Sequence, residues 1–358
     1  MYTREIPTLN KLMHIANNTY NYSTPFDEYN ENKLYRLIHD YYSTYSDIHT
    51  LEYEISDDKR THAVKTLLGT DSNNEINIDN ICVKDSIFVE YDEDMIDLIG
   101  FEVLDETTNN LTDIVYENDT IYVGKTDFKS YMAVSDLLVY ELVDAYKNID
   151  NIHDHSIDDF PVRNKILPDL SSFKQPVRPR GSTSGGVIIA NTTDGWKLIL
   201  GQRSQKSNIN RGKVSIFPNG KIHYDDFIKN AFLTTLRREF TEELFNENSK
   251  GNIFFDEYIT TEPVSMGWNL RDGDLSVGYA LIINSSMGYD IFKNTLEKNK
   301  EINNIIEVPI MDFDKISETI TFDNMSGAPI ATVCESLRFI DNSKLYPDLP
   351  YDIKSSKD

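Results

Sequence analysis

Apolar and polar positions follow two different rhythms along the chain. In the first 150 residues the apolar positions are short-ranged. Leu34, Leu37, Ile38, Tyr41 and Tyr42 recur at the spacing of one helix face. Met132, Leu137, Leu138, Tyr140, Leu142, Val143 and Tyr146 predict a second helix over 130–148. Between them, Ile87–Val89, Ile96–Ile99, Phe101–Val103 and Ile121–Val123 read as short strands, with turn chemistry at Asn109-Asn110 and Glu117-Asn118-Asp119. Residues 151–184 carry Pro161, Pro168, Pro176 and Pro179 and read as an extended connection.

From Gly185 the rhythm sharpens. Gly186–Ala190 and Trp196–Leu200 predict two strands joined at Thr192–Gly195, a hairpin. Ile216-Phe217-Pro218-Asn219-Gly220 precedes a long helix, roughly Asp226 to Asn246. Phe227, Ile228, Ala231, Leu236, Phe240 and Leu244 form its apolar stripe. Further strands are expected near Tyr258–Pro263 and Leu275–Ile283. Ile306–Ile310 leads into a short turn or helix, and a terminal helix covers Pro329 to Ile340. The expected division is an acidic α+β domain over 1–150, a proline-rich linker over 151–184, a second domain over 185–345, and a polar tail over 346–358.

Charge supports that division. Residues 1–170 hold 34 Asp and Glu against 13 Lys and Arg, a balance of −21. The net charge of −24 leaves only −3 for the rest. So acidic a first half argues against nonspecific nucleic-acid binding there, and no DNA partner is expected. No apolar run reaches the roughly 18–20 residues of a membrane span, and the first residues lack a secretory pattern. Cys82 and Cys334 give neither a disulfide framework nor a zinc spacing, so we expect buried thiols in a reducing, cytoplasmic setting. A protein partner or a second copy is the expectation for the N-terminal region.

The segment that carries chemistry is Arg238-Glu239-Phe240-Thr241-Glu242-Glu243-Leu244. On a helix, positions 239, 242 and 243 share one face. Like charges stacked this way repel by about 0.2–0.5 kcal/mol per pair. A cation relieves that repulsion, and hard oxygen ligands on one face suit Mg²⁺ beside phosphates. Carboxylate triples also occur on ordinary solvated helices.

The rest of the segment resembles the Nudix hydrolase family. Its signature runs Gly, five residues, Glu, seven residues, then Arg-Glu-U-x-Glu-Glu-x-Gly-U, where U is aliphatic. Arg238-Glu239-Phe240-x-Glu242-Glu243 matches the second half, with an aromatic residue at U. Phe217-Pro218-Asn219-Gly220-Lys221-Ile222 is similar to the opening of the box, with Gly220 as its glycine. Leu198–Ser204 and Glu307–Phe313 are similar to the family's flanking segments. The resemblance covers about 160 of 358 residues. There are departures. Gly220 and Arg238 are 18 positions apart, where the signature has 14. The first box Glu is replaced either by Asp226, counted from Gly220, or by Asn230, counted from Arg238. Phe245 stands where the box ends in Gly, so the helix is expected to run on toward Asn248 or Gly251.

The resemblance implies a mixed sheet sandwiched by helices over 185–345. It also implies Mg²⁺- or Mn²⁺-dependent hydrolysis of a diphosphate linkage in a nucleoside diphosphate derivative. ADP-ribose, dinucleotides, nucleotide sugars and capped RNA 5′ ends belong to that class. Glu239, Glu242 and Glu243 are the implied metal ligands, with Arg238 orienting a glutamate. Candidates for the general base are Glu262, Asp272 and Asp274. Gly220, Lys221, Arg203, Trp268 and Arg271 are candidates for substrate contact; Lys206, Arg211 and Lys213 lie near Arg203 in a basic loop, and His223 lies in the box loop. The alternative is an inactive module of the same fold that binds a nucleotide or a protein partner.

Overall fold

The unbroken apolar run of the first C-terminal strand has a simple cause: the strand is covered on both faces. Val187 to Ala190 are fully buried, as expected for the centre of a sheet with a parallel neighbour. The computed structural model describes residues 50–55, 58–65, 82–85, 111–117, 120–126, 182–205, 212–223, 226, 231–245, 250–269, 274–296, 302–320, 324–325 and 327–355. Both predicted N-terminal helices, and all the predicted N-terminal strands except Ile121–Val123, lie outside the described residues.

In chain order the strands are β1 (Thr50–Ile55), β2 (Asp58–Lys65), β3 (Cys82–Asp85), β4 (Leu111–Glu117), β5 (Thr120–Thr126), β6 (Ser182–Thr192), β7 (Gly195–Arg203), β8 (Val214–Ser215), β9 (Asn219–Lys221), β10 (Ile259–Asn269), β11 (Asp274–Ile283), β12 (Ile302–Pro309) and β13 (Ile353–Ser355). The helices are α1 (Ala231–Phe245), α2 (Lys250–Tyr258), α3 (Ser286–Leu296), α4 (Phe313–Thr319) and α5 (Gly327–Asn342).

The main sheet is mixed, in the order β12-β7-β6-β11-β10-β2-β1-β13. β8 pairs with β7, and β9 pairs with β6. β6 and β11 run parallel, whereas the other ladders of this sheet are antiparallel. The predicted hairpin is β6–β7, turning at Thr193-Asp194 with Gly195 at positive φ. β6 begins at Ser182, three residues inside the stretch read as linker. β3, β5 and β4 form a separate small sheet, with Ile121–Val123 inside β5.

Helices cover both faces of the main sheet. On one face, the Ser184 hydroxyl donates to the Phe232 carbonyl of α1, and Gly186 lies under Leu236 and Leu281. On the other face, Gly278 of β11 lies under Thr332 of α5. Residues at alternate positions on a strand face opposite sides. Ser184 and Gly186 therefore mark the α1 face, and Gly278 and Ala280 mark the α5 face.

Three local features depart from the pattern-based reading. The described part of the box helix begins at Ala231 and ends at Phe245, and a second helix starts at Lys250. α2 and α3 had not been read, although Gly251, Phe254, Phe255 and Tyr258, and then Tyr289, Phe292 and Leu296, sit at helical spacing. The tail is anchored as well: β13 pairs with β1, and the Tyr351 hydroxyl donates to the Ile310 carbonyl at 2.6 Å. No helix among the described residues is long and apolar enough to cross a membrane.

A charge cluster ties the β12 edge to its surroundings. Glu307 accepts from Lys197 of β7 at 2.8 Å and from Lys293 of α3 at 2.7 Å. Burial alone would raise the carboxyl pKa. The two lysines and the neighbouring Tyr289 hydroxyl outweigh it and hold it down to about 2, below its ordinary 4.5. A carboxylate with a depressed folded pKa stabilises the fold above its unfolded pKa and loses that contribution as pH falls through the folded value. Glu307→Gln is therefore expected to cost on the order of 2 kcal/mol near neutral pH. In urea titrations the gap from the unsubstituted chain should shrink as pH drops from about 4.5 toward about 2.

Candidate active site

The site is built where α1 crosses the short strand β9. Burial of Ala231, Phe232, Leu236, Phe240, Leu244 and Phe245 fixes the rotation of α1. Phe240, the aromatic residue at the aliphatic box position, is fully buried. Its ring meets those of Phe245, Phe254, Phe255 and Phe292 at centroid distances of 5.5, 6.0, 5.2 and 6.5 Å. With that side of α1 held down, Glu239 and Glu243, one turn apart, reach toward β9.

Gly220 receives Glu239. A β-carbon at position 220 would overlap the Glu239 carboxylate, so a larger residue there would displace that carboxylate. The next residue back, Asn219, donates its backbone N–H to Glu243 Oε2 at 3.2 Å. Two carboxylates from one helix thus converge on two successive residues of one strand. Glu242 is more exposed, at 42%, and lies on the outer side.

Arg238 organises the other flank. Its Nη1 donates to Glu239 at 2.6 Å and to Glu242 at 3.0 Å. Its Nη2 donates to the Lys221 carbonyl at 2.8 Å and to Asp226 at 3.3 Å. Burial alone would lower the pKa of this guanidinium. Glu239, Asp226 and Glu242 outweigh it and hold it above the usual arginine value. One cation thus offsets much of the repulsion that the carboxylate spacing implied.

The structure places Asp226 beside Arg238, and Asn230 lies outside the described residues. Gly220 to Asp226 keeps the signature's spacing, so the four extra residues fall between Asp226 and Arg238. Asp226 is buried and also accepts from Thr235 Oγ1 at 2.7 Å and from the His223 N–H at 3.0 Å. Thr235 had not been singled out. A threonine on the buried side of an otherwise apolar helix was the available signal.

The remaining sequence candidates separate. Lys221 lies on β9, next to the carboxylates. Arg203 ends β7, where its N–H donates to the Lys213 carbonyl. Glu262 pairs with Ala280, which puts it on the α5 face of the sheet, away from α1; its charge acts on Tyr346, beyond α5. The structure therefore does not bring Glu262 to the box carboxylates. A bulge between Pro263 and Ser265 shifts the register beyond it, and Trp268 stands opposite Leu275 near the end of β10. Asp274 begins β11. Arg271, Asp272, Lys206 and Arg211 lie outside the described residues.

The donor set suits a hard divalent cation. Glu239, Glu242 and Glu243 offer carboxylate oxygens from one helix face, and the Gly220 cradle holds one of them where a larger residue would exclude it. Among the described residues no three acids, histidines or cysteines stand close enough together to form a preformed metal cluster.

No protein-family model matches the chain, and no curated protein matches it. Solved structures do. The Nudix domain of Shewanella oneidensis NrtR, in complex with ADP ribose, is 15% identical; the match covers 44% of this chain and 86% of that one, with a TM-score of 0.26. NrtR has also been solved with a 27mer DNA. A mutT/nudix family protein from Listeria innocua is 17% identical over 45% of this chain and 97% of its own, with a TM-score of 0.30. A bifunctional NMN adenylyltransferase/ADP ribose pyrophosphatase from Francisella tularensis, solved with AMP and a Mn ion, is 13% identical. That match covers 56% of this chain and 52% of the other, with a TM-score of 0.30. The solved structures similar to the C-terminal part of this chain include Nudix and MutT proteins, and that part is a mixed sheet flanked by helices.

Proposed function

We propose that the C-terminal domain is a divalent-metal-dependent hydrolase that cleaves the diphosphate linkage of a nucleoside diphosphate derivative. The observation that carries this reading is the convergence of Glu239 and Glu243 on Asn219-Gly220, with Arg238 bridging Glu239 and Glu242. Three stacked carboxylates repel one another, which favours this reading over a module that only binds a ligand.

Glu239 and Glu243 would hold Mg²⁺ or Mn²⁺, with Glu242 as the third ligand. When bound, the ion supplies charge neutralisation for the diphosphate and acidifies a water molecule. The chain's own groups do the rest. Arg238 keeps the Glu239 carboxylate turned toward β9. Gly220 leaves room for both the carboxylate and an approaching phosphate. Lys221, on the same strand, offers a cation for a phosphoryl oxygen. Asp272 and Asp274 remain the candidates for the proton acceptor, and Trp268 and Arg271 for substrate contact.

The test is a panel of ADP-ribose, dinucleotides, nucleotide sugars and capped RNA, incubated with Mg²⁺ or Mn²⁺ and resolved by mass. Cleavage at the diphosphate is expected, falling at least about a hundredfold in Glu242→Gln and Glu243→Gln. A folded protein that leaves the whole panel intact and binds no metal would instead support the nucleotide- or partner-binding module.

A further inference from the structure

The hydrogen-bond chain of the site extends beyond the box positions. It starts at Thr235, which is fully buried one turn before Arg238. Its hydroxyl donates to Asp226 Oδ2 at 2.7 Å. The same oxygen accepts from the His223 N–H and from Arg238 Nη2, and Arg238 Nη1 goes on to Glu239 and Glu242. Thr235, Arg238, Glu239 and Glu242 stand at i, i+3, i+4 and i+7, so they line one side of α1. Asp226 is reached from across the four extra residues that separate it from Arg238 in sequence.

We propose that Thr235 is a positioning residue for the carboxylate site, acting through Asp226 and Arg238. An insertion in the segment that leads into α1 would let the helix turn or slide against β9, and with it the angle at which Glu239 and Glu243 meet Gly220. Asp226 is bonded to residues on both sides of it in sequence. The His223 N–H fixes it to the end of β9, and Thr235 and Arg238 fix it to α1. Three donors on one oxygen leave the Asp226 carboxylate little freedom. Arg238 is thereby held in the one placement from which it reaches both Glu239 and Glu242. This inference rests on the hydrolase reading above.

Mn²⁺ binding to the full chain, followed by the loss of the free-ion EPR signal, tests it without reference to turnover. Thr235→Val removes the hydroxyl and keeps the branched shape, whereas Thr235→Ser keeps the hydroxyl. Asp226→Asn keeps the shape and removes the charge. Thr235→Val and Asp226→Asn are expected to weaken Mn²⁺ about tenfold or more, and Thr235→Ser to stay within about twofold of the unsubstituted chain. If Asp226→Asn fails to fold, the two threonine variants decide alone. Unchanged affinity in Thr235→Val overturns the proposal, and so does an equal loss in Thr235→Ser, because shape rather than the hydroxyl would then be at work. An unsubstituted chain that binds no Mn²⁺ overturns the hydrolase reading and this proposal together. Tight binding in the unsubstituted chain and in all three variants overturns this proposal alone.

Discussion

Gly220→Ala is expected to remove hydrolysis by about a hundredfold or more while leaving the protein folded. The added methyl would occupy the space of the Glu239 carboxylate. Neither neighbour has an easy way to yield. Gly220 is paired with Ser184 in the β6–β9 ladder, and Glu239 is held on its other side by Arg238. The carboxylate must swing out, breaking the 2.6 Å bond to Arg238 and leaving Glu243 alone on β9. Metal affinity should fall together with kcat, because the change acts on a ligand rather than on a substrate contact. Steady-state kinetics beside a Mn²⁺ titration would check both, and a normal thermal midpoint would show that the sheet survives. Wild-type turnover in Gly220→Ala would mean that Glu239 does not serve the reaction from this position.

Phe240→Ala is the substitution expected to cost most stability, about 3–5 kcal/mol. Phe240 is fully buried and packs against four other aromatic rings drawn from α1, α2 and α3. Alanine would leave a cavity that three helices cannot close at once. Because Phe240 adjoins Glu239 in the chain, loosening the ring also loosens the carboxylate. Activity should therefore decline before global unfolding as denaturant is added. Chemical denaturation followed by tryptophan fluorescence, beside residual activity at each concentration, gives both numbers. A loss of less than about 1 kcal/mol would show that the remaining rings repack into the gap.

What the sequence disclosed, it disclosed through spacing. Glu239, Glu242 and Glu243 could be put on one helix face because helical periodicity is local, and α1 bears that out. The strands β6, β7, β10 and β11 were likewise visible in the apolar pattern, whereas Ile306–Ile310, read only as leading into a turn or helix, belongs in part to β12. Properties that depend on pairing were not visible. The placement of Glu262 on the α5 face follows from its register with Ala280, which no local pattern encodes. Asp226 and Asn230 could not be separated because an insertion defeats counting from either end. Only the bond to Arg238 selects Asp226. α2 and α3 had helical spacing on their aromatic residues, but each is short and carries a glycine, and both signals fell below those of the neighbouring strands.

The order of strands in the main sheet also sets when the fold can be finished. Tyr53 of β1 stands opposite Ser355 of β13, so two of the most distant parts of the chain lie side by side. During synthesis β6 and β7 can pair as soon as they emerge, because their hairpin is local. The β1 edge must wait until β13 has been made. The entropy of closing so long a loop grows only with the logarithm of its length, so the finished fold loses little stability by it. The delay falls on the rate of folding instead, and a growing chain carries that edge without this neighbour until β13 emerges.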